Sequence, residues 1–281
     1  MSRHVAIVTD STAYLPQRTM ERHGITAVPL TVVLGDRALE EGTEISTRSL
    51  AQALQKRRSV TTSRPSPERF AETYRRLAES GATGIVSLHL SAELSGTHDA
   101  AVLAAREAPV PVRVVDTGVV AMALGFCAVA AAETAEAGGT VDEAVAAAEK
   151  RAAGTSAHFY VDTLDYLRRG GRIGTAQALL GSALAVKPLL QLQDGRIELL
   201  EKVRTASRAI ARLEEIAAER ANGEGIDIAV HHLAAPDRAA ALADRLRARV
   251  PGLADLHVSE VGAVIGAHTG PGLLGVVVSP R

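Results

Sequence analysis

Two hydroxyl side chains flank a glycine at Ser95-Gly96-Thr97, where a strand-like run gives way to a helical one. The apolar run covers residues 84–90, and an Ala-rich stretch typical of a helix covers residues 98–106. The first backbone N–H groups of a helix lack intrahelical partners, so this corner places hydroxyl and amide donors side by side. Such donors suit an anionic group, for example a carboxylate or a phosphate. Serine and threonine are also ordinary helix caps, and the tripeptide alone leaves both interpretations open.

Two further segments, distant in the sequence, carry groups of the same kind. Thr62-Ser63-Arg64-Pro65 contributes two hydroxyls, and His268-Thr269-Gly270-Pro271-Gly272 contributes an imidazole, a hydroxyl and glycines that permit close backbone approach. A carboxylate that is buried beside apolar walls needs several donors to offset its lost hydration. Hydroxyl, backbone and ring donors for such a group are present at Thr62, Ser95, Gly96, Thr97 and His268.

Composition excludes several functional classes. The chain of 281 residues has 31 basic and 32 acidic side chains, so it lacks the basic surplus expected of a nucleic-acid-binding protein. A single cysteine, Cys127, excludes an internal disulfide framework and a cysteine-based zinc cluster. His231 and His232 are adjacent on a predicted strand and point to opposite faces, so we predict no metal site there.

Apolar runs are too short for a membrane span. A spanning helix needs about 20 apolar residues, whereas the longest apolar run covers residues 118–132 and is rich in alanine. Residues 1–6 lack the apolar segment of a signal peptide. We therefore predict a cytoplasmic protein without an integral membrane segment.

The first half of the chain alternates strand-like and helical patterns. This alternation predicts a parallel α/β sheet with helices on both faces. Polar residues follow three of the strand ends, at Asp10, at residues 91–97 and at Asp116, and open α/β sheets bind ligands at this edge. The predicted strands are residues 5–9, 25–34, 84–90 and 112–115, and the predicted helices are residues 47–57, 66–78, 98–106, 119–137 and 141–153.

The second half is richer in strands. Asp194-Gly195 lies between two alternating runs and predicts a β-hairpin. We place the domain boundary so that residues 1–154 form the α/β domain and residues 155–281 a smaller α+β domain. The predicted strands are residues 158–161, 188–193, 196–203, 226–231, 256–261 and 273–278, and the predicted helices are residues 163–169, 176–185, 205–221 and 236–249.

Taken together, these segments resemble the DegV family, which includes the FakB-type fatty-acid-binding subunits of bacterial fatty acid kinases. The resemblance covers nearly the whole chain and rests on motifs in a fixed order. It implies an α/β N-terminal domain, a smaller α+β C-terminal domain and one long-chain fatty acid held between them. The motifs are Val8-Thr9-Asp10-Ser11-Thr12, Thr62-Ser63-Arg64-Pro65, Ser95-Gly96-Thr97, Val115-Asp116-Thr117, Tyr166-Leu167-Arg168-Arg169-Gly170-Gly171-Arg172-Ile173, Lys202-Val203-Arg204-Thr205 and His268-Thr269-Gly270-Pro271-Gly272.

The resemblance also implies roles for individual residues. It assigns the ligand carboxylate to Thr62, Ser95 and His268, and it makes their neighbours candidate binding residues: Ser63, Gly96, Thr97 and Thr269. Arg172 and Arg204 match arginines linked to the kinase partner or to phosphoryl transfer. The expected partner is a separate ATP-dependent fatty acid kinase, so we expect no catalytic residue, cofactor or metal in this chain.

The sequence departs from the family pattern at two places. Arg64 stands where a glutamine is frequent, and Glu40-Glu41-Gly42 stands where an Asp-Gly pair is usual. Neither place changes the hydroxyls or the histidine, but Arg64 can alter the entrance to the pocket.

Two alternatives to a lipid-presenting subunit stay open. A serine hydrolase or acyltransferase would use Ser95 with His268 and Asp10 or Asp116, although Ser95 does not lie in the G-x-S-x-G turn of α/β-hydrolases. A lipid sensor without a kinase partner would use the same pocket. The sequence contains no G-x-x-x-x-G-K-[ST] nucleotide-binding motif, which favours a separate kinase.

Overall fold

The computed structural model describes residues 4–56, 58–179 and 187–281. Contacts between Cα atoms divide the chain into two units. The first unit comprises the residues up to Thr31 together with Ser63–Ala153, and the second comprises Val32–Thr62 together with Gly154–Arg281. Each unit is therefore assembled from two separate stretches of the chain. The second unit is the larger of the two, whereas the sequence predicted a smaller second domain.

Strands and helices alternate along most of the described residues. The strands are β1 (Val5–Asp10), β2 (Thr26–Val28), β3 (Thr31–Leu34), β4 (Arg37–Glu40), β5 (Val60–Ser63), β6 (Gly84–His89), β7 (Val112–Asp116), β8 (Ser156–Tyr160), β9 (Lys187–Gln193), β10 (Arg196–Val203), β11 (Ile226–His232), β12 (Leu253–Glu260) and β13 (Leu274–Pro280). The α-helices are α1 (Gln17–Arg22), α2 (Thr47–Gln55), α3 (Pro67–Glu79), α4 (Thr97–Ala105), α5 (Met122–Glu136), α6 (Val141–Gly154), α7 (Asp165–Arg169), α8 (Ala206–Arg220), α9 (Pro236–Arg249) and α10 (Ala263–Thr269). Short 3-10 helices cover Ser11–Ala13 and Gly174–Leu179.

The first unit is built on the predicted parallel sheet. Its strand order is β2-β1-β6-β7, and every neighbouring pair is parallel. All residues of β1 and β6 are buried, which is typical of central strands covered on both faces. Phe70 and Tyr74 of α3 pack with Ala100 and Ala104 of α4 over one face, and α5 packs against β1 and β6. The fold class predicted from the sequence is confirmed.

A buried carboxylate joins the carboxyl ends of the two central strands. Asp10 Oδ1 accepts from the backbone N–H and the hydroxyl of Thr12, at 3.0 and 2.6 Å. Its Oδ2 lies 3.1 Å from His89 Nδ1 and 3.0 Å from the Leu90 backbone nitrogen. His89 Nε2 in turn contacts Ser87 Oγ at 2.8 Å. Because Asp10 is fully buried, these contacts replace the water that the carboxylate has lost.

The second unit contains a six-stranded sheet of order β10-β9-β8-β13-β11-β12. All its neighbouring pairs are antiparallel except β11 and β12. Helices α8 and α9 cover one face with an apolar core that includes Leu213, Leu242 and Val276. The predicted hairpin between β9 and β10 is confirmed: Asp194 and Gly195 have φ of 48° and 76°, as a two-residue hairpin turn requires.

Residues 32–62 pack with the second unit, whereas the sequence assigned them to the N-terminal domain. They contribute most of a small sheet of order β4-β3-β5, and α2 packs against α10. Glu41 Oε1 accepts a hydrogen bond from the Val264 backbone at 2.8 Å. A Cβ on Gly266 of α10 would lie closer than 3.0 Å to Leu50 of α2, so the missing side chain permits this close packing. The chain passes from the first unit to the second again between Ala153 and Gly154.

Two predicted elements differ from the observed ones. The strand expected over residues 25–34 is divided into β2 and β3, which lie in different sheets, because Pro29 between them has no N–H to donate to a ladder. The helix expected over residues 176–185 lies partly outside the described residues, and its described start is the 3-10 helix Gly174–Leu179.

The described residues contain neither a metal-binding cluster nor a helix able to cross a membrane. Within residues 4–56, 58–179 and 187–281, histidine, cysteine and carboxylate side chains form no group of three that could bind a metal ion. No helix in these ranges combines the length and apolar character that crossing a membrane requires.

Replacement of Asp10 by alanine should destabilise the protein strongly. The change leaves the buried Leu90 N–H and His89 ring without their acceptor, so we expect the free energy of unfolding to fall by about 3 kcal/mol. Urea denaturation followed by circular dichroism measures this loss. Asp142→Ala is the control, because Asp142 pairs with Arg113 on the exposed surface and should cost under about 1 kcal/mol. Equal losses for the two variants would contradict the role assigned to Asp10.

Candidate functional site

A hydrogen bond joins Thr62 and His268, which are 206 positions apart in the sequence. Thr62 lies near the end of β5, and His268 lies in the last turn of α10. Thr62 Oγ1 and His268 Nε2 are 2.8 Å apart. Both residues belong to the second unit, so the packing of residues 32–62 onto that unit brings together this predicted pair.

Two glycines make room for the rings of His268 and Tyr166. A Cβ on Gly170, directly after α7, would lie closer than 3.0 Å to His268 Nδ1. A Cβ on Gly270, directly after α10, would lie equally close to the ring of Tyr166. Gly270 also has a φ of 73°, which glycine adopts without a steric penalty. The glycines of the two motifs therefore determine where the His268 and Tyr166 rings can lie.

His268 is neutral at pH 7. Burial and, to a lesser extent, the positive charge of Arg172 together lower the pKa of its imidazole to about 4. Among the described residues, the buried Nδ1 atom has no hydrogen-bond partner. An unpaired buried N–H is less favourable than an unpaired acceptor, so the ring proton belongs on Nε2. Thr62 then accepts from His268, and its own hydroxyl hydrogen is available to an anion.

The pair borders a cationic cavity of about 440 Å³ in the second unit, a volume in the usual range for ligand pockets. Three arginines line it, and its described lining contains no aspartate or glutamate. With His268 neutral, the formal charge of the lining is positive, so the cavity favours an anionic group. The described lining residues are Leu54, Arg58, Ser59, Val60, Thr61, Thr62, Tyr166, Arg169, Gly170, Arg172, Ala267 and His268.

The Ser95 corner, which we define as Ser95, Gly96 and Thr97, belongs to the first unit. Ser95 Oγ and Thr97 Oγ1 are 2.9 Å apart. Gly96 is the N-cap of α4, and no side chain caps this helix end. The hydroxyls thus contact each other instead of serving as the helix caps that the sequence allowed.

The other predicted site residues lie in different surroundings. The Thr269 hydroxyl donates to the Ile265 carbonyl within α10 at 3.0 Å, and Thr269 is absent from the described cavity lining. Ser63 is exposed, and its hydroxyl contacts the Arg64 carbonyl at 3.3 Å. Arg204 is exposed between β10 and α8 and does not line the described cavity. Arg172 does line it and donates to the Gly170 carbonyl at 2.6 Å.

Neither carboxylate proposed for a hydrolase triad pairs with His268. Asp10 contacts His89, as described above. Asp116 Oδ1 accepts from the backbone nitrogens of Ala92 and Gly118, at 3.1 and 3.0 Å. Both aspartates therefore shape loops that follow the strands of the first unit, and neither orients His268 within the described residues.

Sequence reasoning missed several residues of the cavity. Tyr166, Arg169 and Gly170 belong to the motif over residues 166–173, in which the sequence predicted only Arg172 as a site residue. Their signal is the glycine itself, which marks a place where another group approaches the backbone closely. Arg58 had no such signal, because it follows a helix in an ordinary polar stretch.

These features define a two-unit α/β protein with a cationic, hydroxyl-lined cavity in its second unit. The chain belongs to the DegV family: the family model described as "Uncharacterised protein, DegV family" matches residues 4–281. It is 90% identical to a DegV domain-containing protein of Streptomyces coelicolor over 281 residues, which is 100% of both chains. It is 39% identical to a DegV domain-containing protein of Mycobacterium bovis over 278 residues, covering 98% of this chain and 96% of the relative.

Solved structures of the family are also similar. A DegV family protein from Thermus thermophilus, whose structure is described as showing fatty acid binding, is 37% identical with a TM-score of 0.93. The match covers 99% of this chain and 100% of that one. DegV of Bacillus subtilis, described as a fatty acid binding protein, is 34% identical with a TM-score of 0.92 and full coverage of both chains.

Arg172→Gln should raise the pKa of His268 above about 4, because it removes the nearby positive charge. Burial is the larger cause of the shift, so the pKa should stay below the ordinary value of 6.5. NMR titration of the His268 ring nitrogens measures both values. An unchanged pKa would show that the Arg172 charge does not reach the ring.

His268 should also make the stability of the protein depend on pH. Its pKa is about 4 in the folded chain and about 6.5 when unfolded, so unfolding takes up a proton between these values. The free energy of unfolding should therefore fall as the pH drops from about 6.5 to about 4. In His268→Asn this fall should be shallower by up to about 1.4 kcal/mol per pH unit. Identical slopes in urea titrations of the two proteins would contradict the prediction.

Gly170→Ala should displace the His268 ring while leaving the fold intact. The new methyl group would occupy the space of Nδ1, and the Thr62–His268 hydrogen bond should lengthen or break. NMR chemical shifts of the His268 ring report this displacement, and circular dichroism reports the fold. Gly171→Ala is unsuitable as a control because Gly171 has a φ of 71°, whereas Gly154→Ala meets no atom closer than 3.8 Å.

Proposed function

We propose that this chain binds a long-chain fatty acid and presents its carboxylate to a separate ATP-dependent fatty acid kinase. The observation that carries the proposal is the Thr62–His268 pair at the border of a cationic cavity. The descriptions of the T. thermophilus and B. subtilis relatives as fatty-acid-binding proteins support the choice of ligand.

The carboxylate accepts the hydroxyl hydrogen of Thr62 in this proposal. His268 fixes the direction of that hydroxyl by donating from Nε2 to Thr62 Oγ1, and Arg58 and Arg169 of the cavity lining offset the negative charge. The Ser95 corner contacts the same group according to the family resemblance, and this contact stays a prediction from the sequence. No cofactor or metal takes part.

The acyl tail supplies most of the affinity. Burial of about 14 methylenes at roughly 0.8 kcal/mol each contributes about 11 kcal/mol before the cost of ordering the chain. The polar pair therefore determines which end of the ligand is held in the cavity, while the tail determines how tightly it binds.

Phosphoryl transfer takes place on the partner. The sequence has no nucleotide-binding motif, and Arg172 and Arg204 are the residues that the family resemblance connects with the kinase or with the phosphoryl group. The protein then retains the acyl phosphate as a carrier.

Thr62→Val should weaken fatty acid binding by about tenfold, because it removes one hydrogen bond to a charged group and keeps the side-chain shape. His268→Ala should weaken binding at least as much. Equilibrium dialysis with radiolabelled palmitate measures both effects, and mass spectrometry of extracted protein identifies lipid that co-purifies. Thr43→Val, at an exposed turn of the second unit outside the described cavity lining, is the matched control. Failure of the unaltered protein to bind any fatty acid would overturn the proposal.

The kinase step is tested with the partner, ATP and fatty acid. Arg172→Gln and Arg204→Gln should retain lipid but form less acyl phosphate. Ser95→Ala and His268→Ala should also form less acyl phosphate, and both of these variants should stay folded. Equal loss of lipid in all four variants would contradict this division of roles. Binding without any acyl phosphate would leave a lipid sensor as the function.

A further inference from the structure

Arg64 lies directly over the Ser95 corner of the first unit. If Gly96 carried a Cβ, that atom would lie closer than 3.0 Å to Arg64 Nη1, and 3.1 and 3.2 Å from Arg64 Cδ and Cζ. The guanidinium therefore occupies the space that any side chain at position 96 would fill. Glycine at this position is what allows the charged group to lie against the backbone of the Ser95 corner.

No group among the described residues neutralises the guanidinium. Among the residues that the structure describes, it makes no hydrogen bond and no ion pair, and Arg64 is exposed. By comparison, Arg113 pairs with Asp142 and Arg245 with Glu214 on the surface. An unpaired arginine held against a polar corner keeps all its donors available to a ligand.

Two hydroxyls complete the set of donors. Ser95 Oγ and Thr97 Oγ1 are 2.9 Å apart, so one of them donates to the other and that second hydroxyl keeps its hydrogen for an acceptor outside the pair. A planar guanidinium beside a hydroxyl donor matches the two oxygens of a carboxylate, which arginine binds in a forked geometry.

We propose that Arg64 is a further carboxylate-binding residue of this chain, acting with Ser95 and Thr97 on the ionised head group of the fatty acid. The inference rests on the proposed function and adds a residue and a selectivity to it. Arg64 makes binding depend on the negative charge of the ligand, so an acid is bound in preference to an alcohol with the same tail.

The test compares a charged ligand with an uncharged one. Equilibrium dialysis is carried out with radiolabelled palmitate and radiolabelled 1-hexadecanol on the unaltered protein, Arg64→Gln and Arg64→Lys. Arg75→Gln is the matched control, because Arg75 is an exposed arginine of α3 in the same unit and its change removes the same charge. Thermal unfolding of each variant establishes that the fold is retained.

Arg64→Gln should weaken palmitate binding about tenfold, the equivalent of one hydrogen bond between charged groups, and should change hexadecanol binding less than twofold. Arg64→Lys should lose less, since it keeps the charge without the fork, and Arg75→Gln should match the unaltered protein. The difference between Arg64→Gln and the unaltered protein should shrink in high salt, because the lost interaction is electrostatic.

Three results would overturn the inference. Unchanged palmitate binding in Arg64→Gln would exclude a contact with the ligand, and tighter binding would show that Arg64 obstructs the corner. An equal loss for palmitate and hexadecanol would show that Arg64 acts through shape and not through charge. In each of these cases the unaltered protein still binds palmitate, so the proposed function stands, whereas failure of the unaltered protein to bind palmitate overturns both.

Discussion

The hydrogen bond between Thr62 and His268 determines how the second unit has to be assembled. It requires a strand from the first quarter of the chain to lie beside a helix near its end, 206 positions later. The packing of α2 against α10 and the hydrogen bond from Val264 to Glu41 support this arrangement from either side. The packing of residues 32–62 on the second unit therefore serves the site, where it brings Thr62 to His268, as well as the core.

The close approach of side chains to glycine backbones is the second constraint on this site. The cavity is bordered by the rings of His268 and Tyr166, which lie where side chains would otherwise be, against Gly170 and Gly270. Gly96 has the same relation to Arg64 in the first unit. In all three places the glycine acts through the space that it leaves, and only Gly270 also needs its unusual backbone angle. Because protein interiors are densely packed, a larger residue at such a position would displace the group that lies against the glycine.

Local patterns predicted most of the fold. Buried runs such as β1 and β6 and the Asp194-Gly195 turn have signals within a few residues, and the parallel sheet follows from their alternation with helices. Helix α10 had no such signal, because Gly262 precedes it, Gly266 lies within it, and its stability comes from packing against Leu50 and Leu233. The assignment of residues 32–62 to the second unit was missed for the same reason, since it depends on contacts that are remote in sequence.

The candidate site was predictable to a similar extent. Hydroxyl and histidine motifs indicated Thr62 and His268, and the structure places them in one hydrogen bond. The cationic character of the cavity was only partly visible, because Arg58 and Arg169 look like solvated surface residues in the sequence. Thr269 lies beside His268 in the motif, yet helical geometry directs its hydroxyl to the Ile265 carbonyl.

The path of the chain has a consequence for biosynthesis. The polypeptide passes from one unit to the other after Thr31, again after Thr62 and finally after Ala153. On the ribosome, α2 emerges long before α10, the helix on which it packs, so it lacks that partner while Ser63–Ala153 is being made. The nascent chain thus exposes the apolar face of α2, including Leu50, until translation is nearly complete. Proteolytic fragments that begin at Gly154 would lack half of the Thr62–His268 pair.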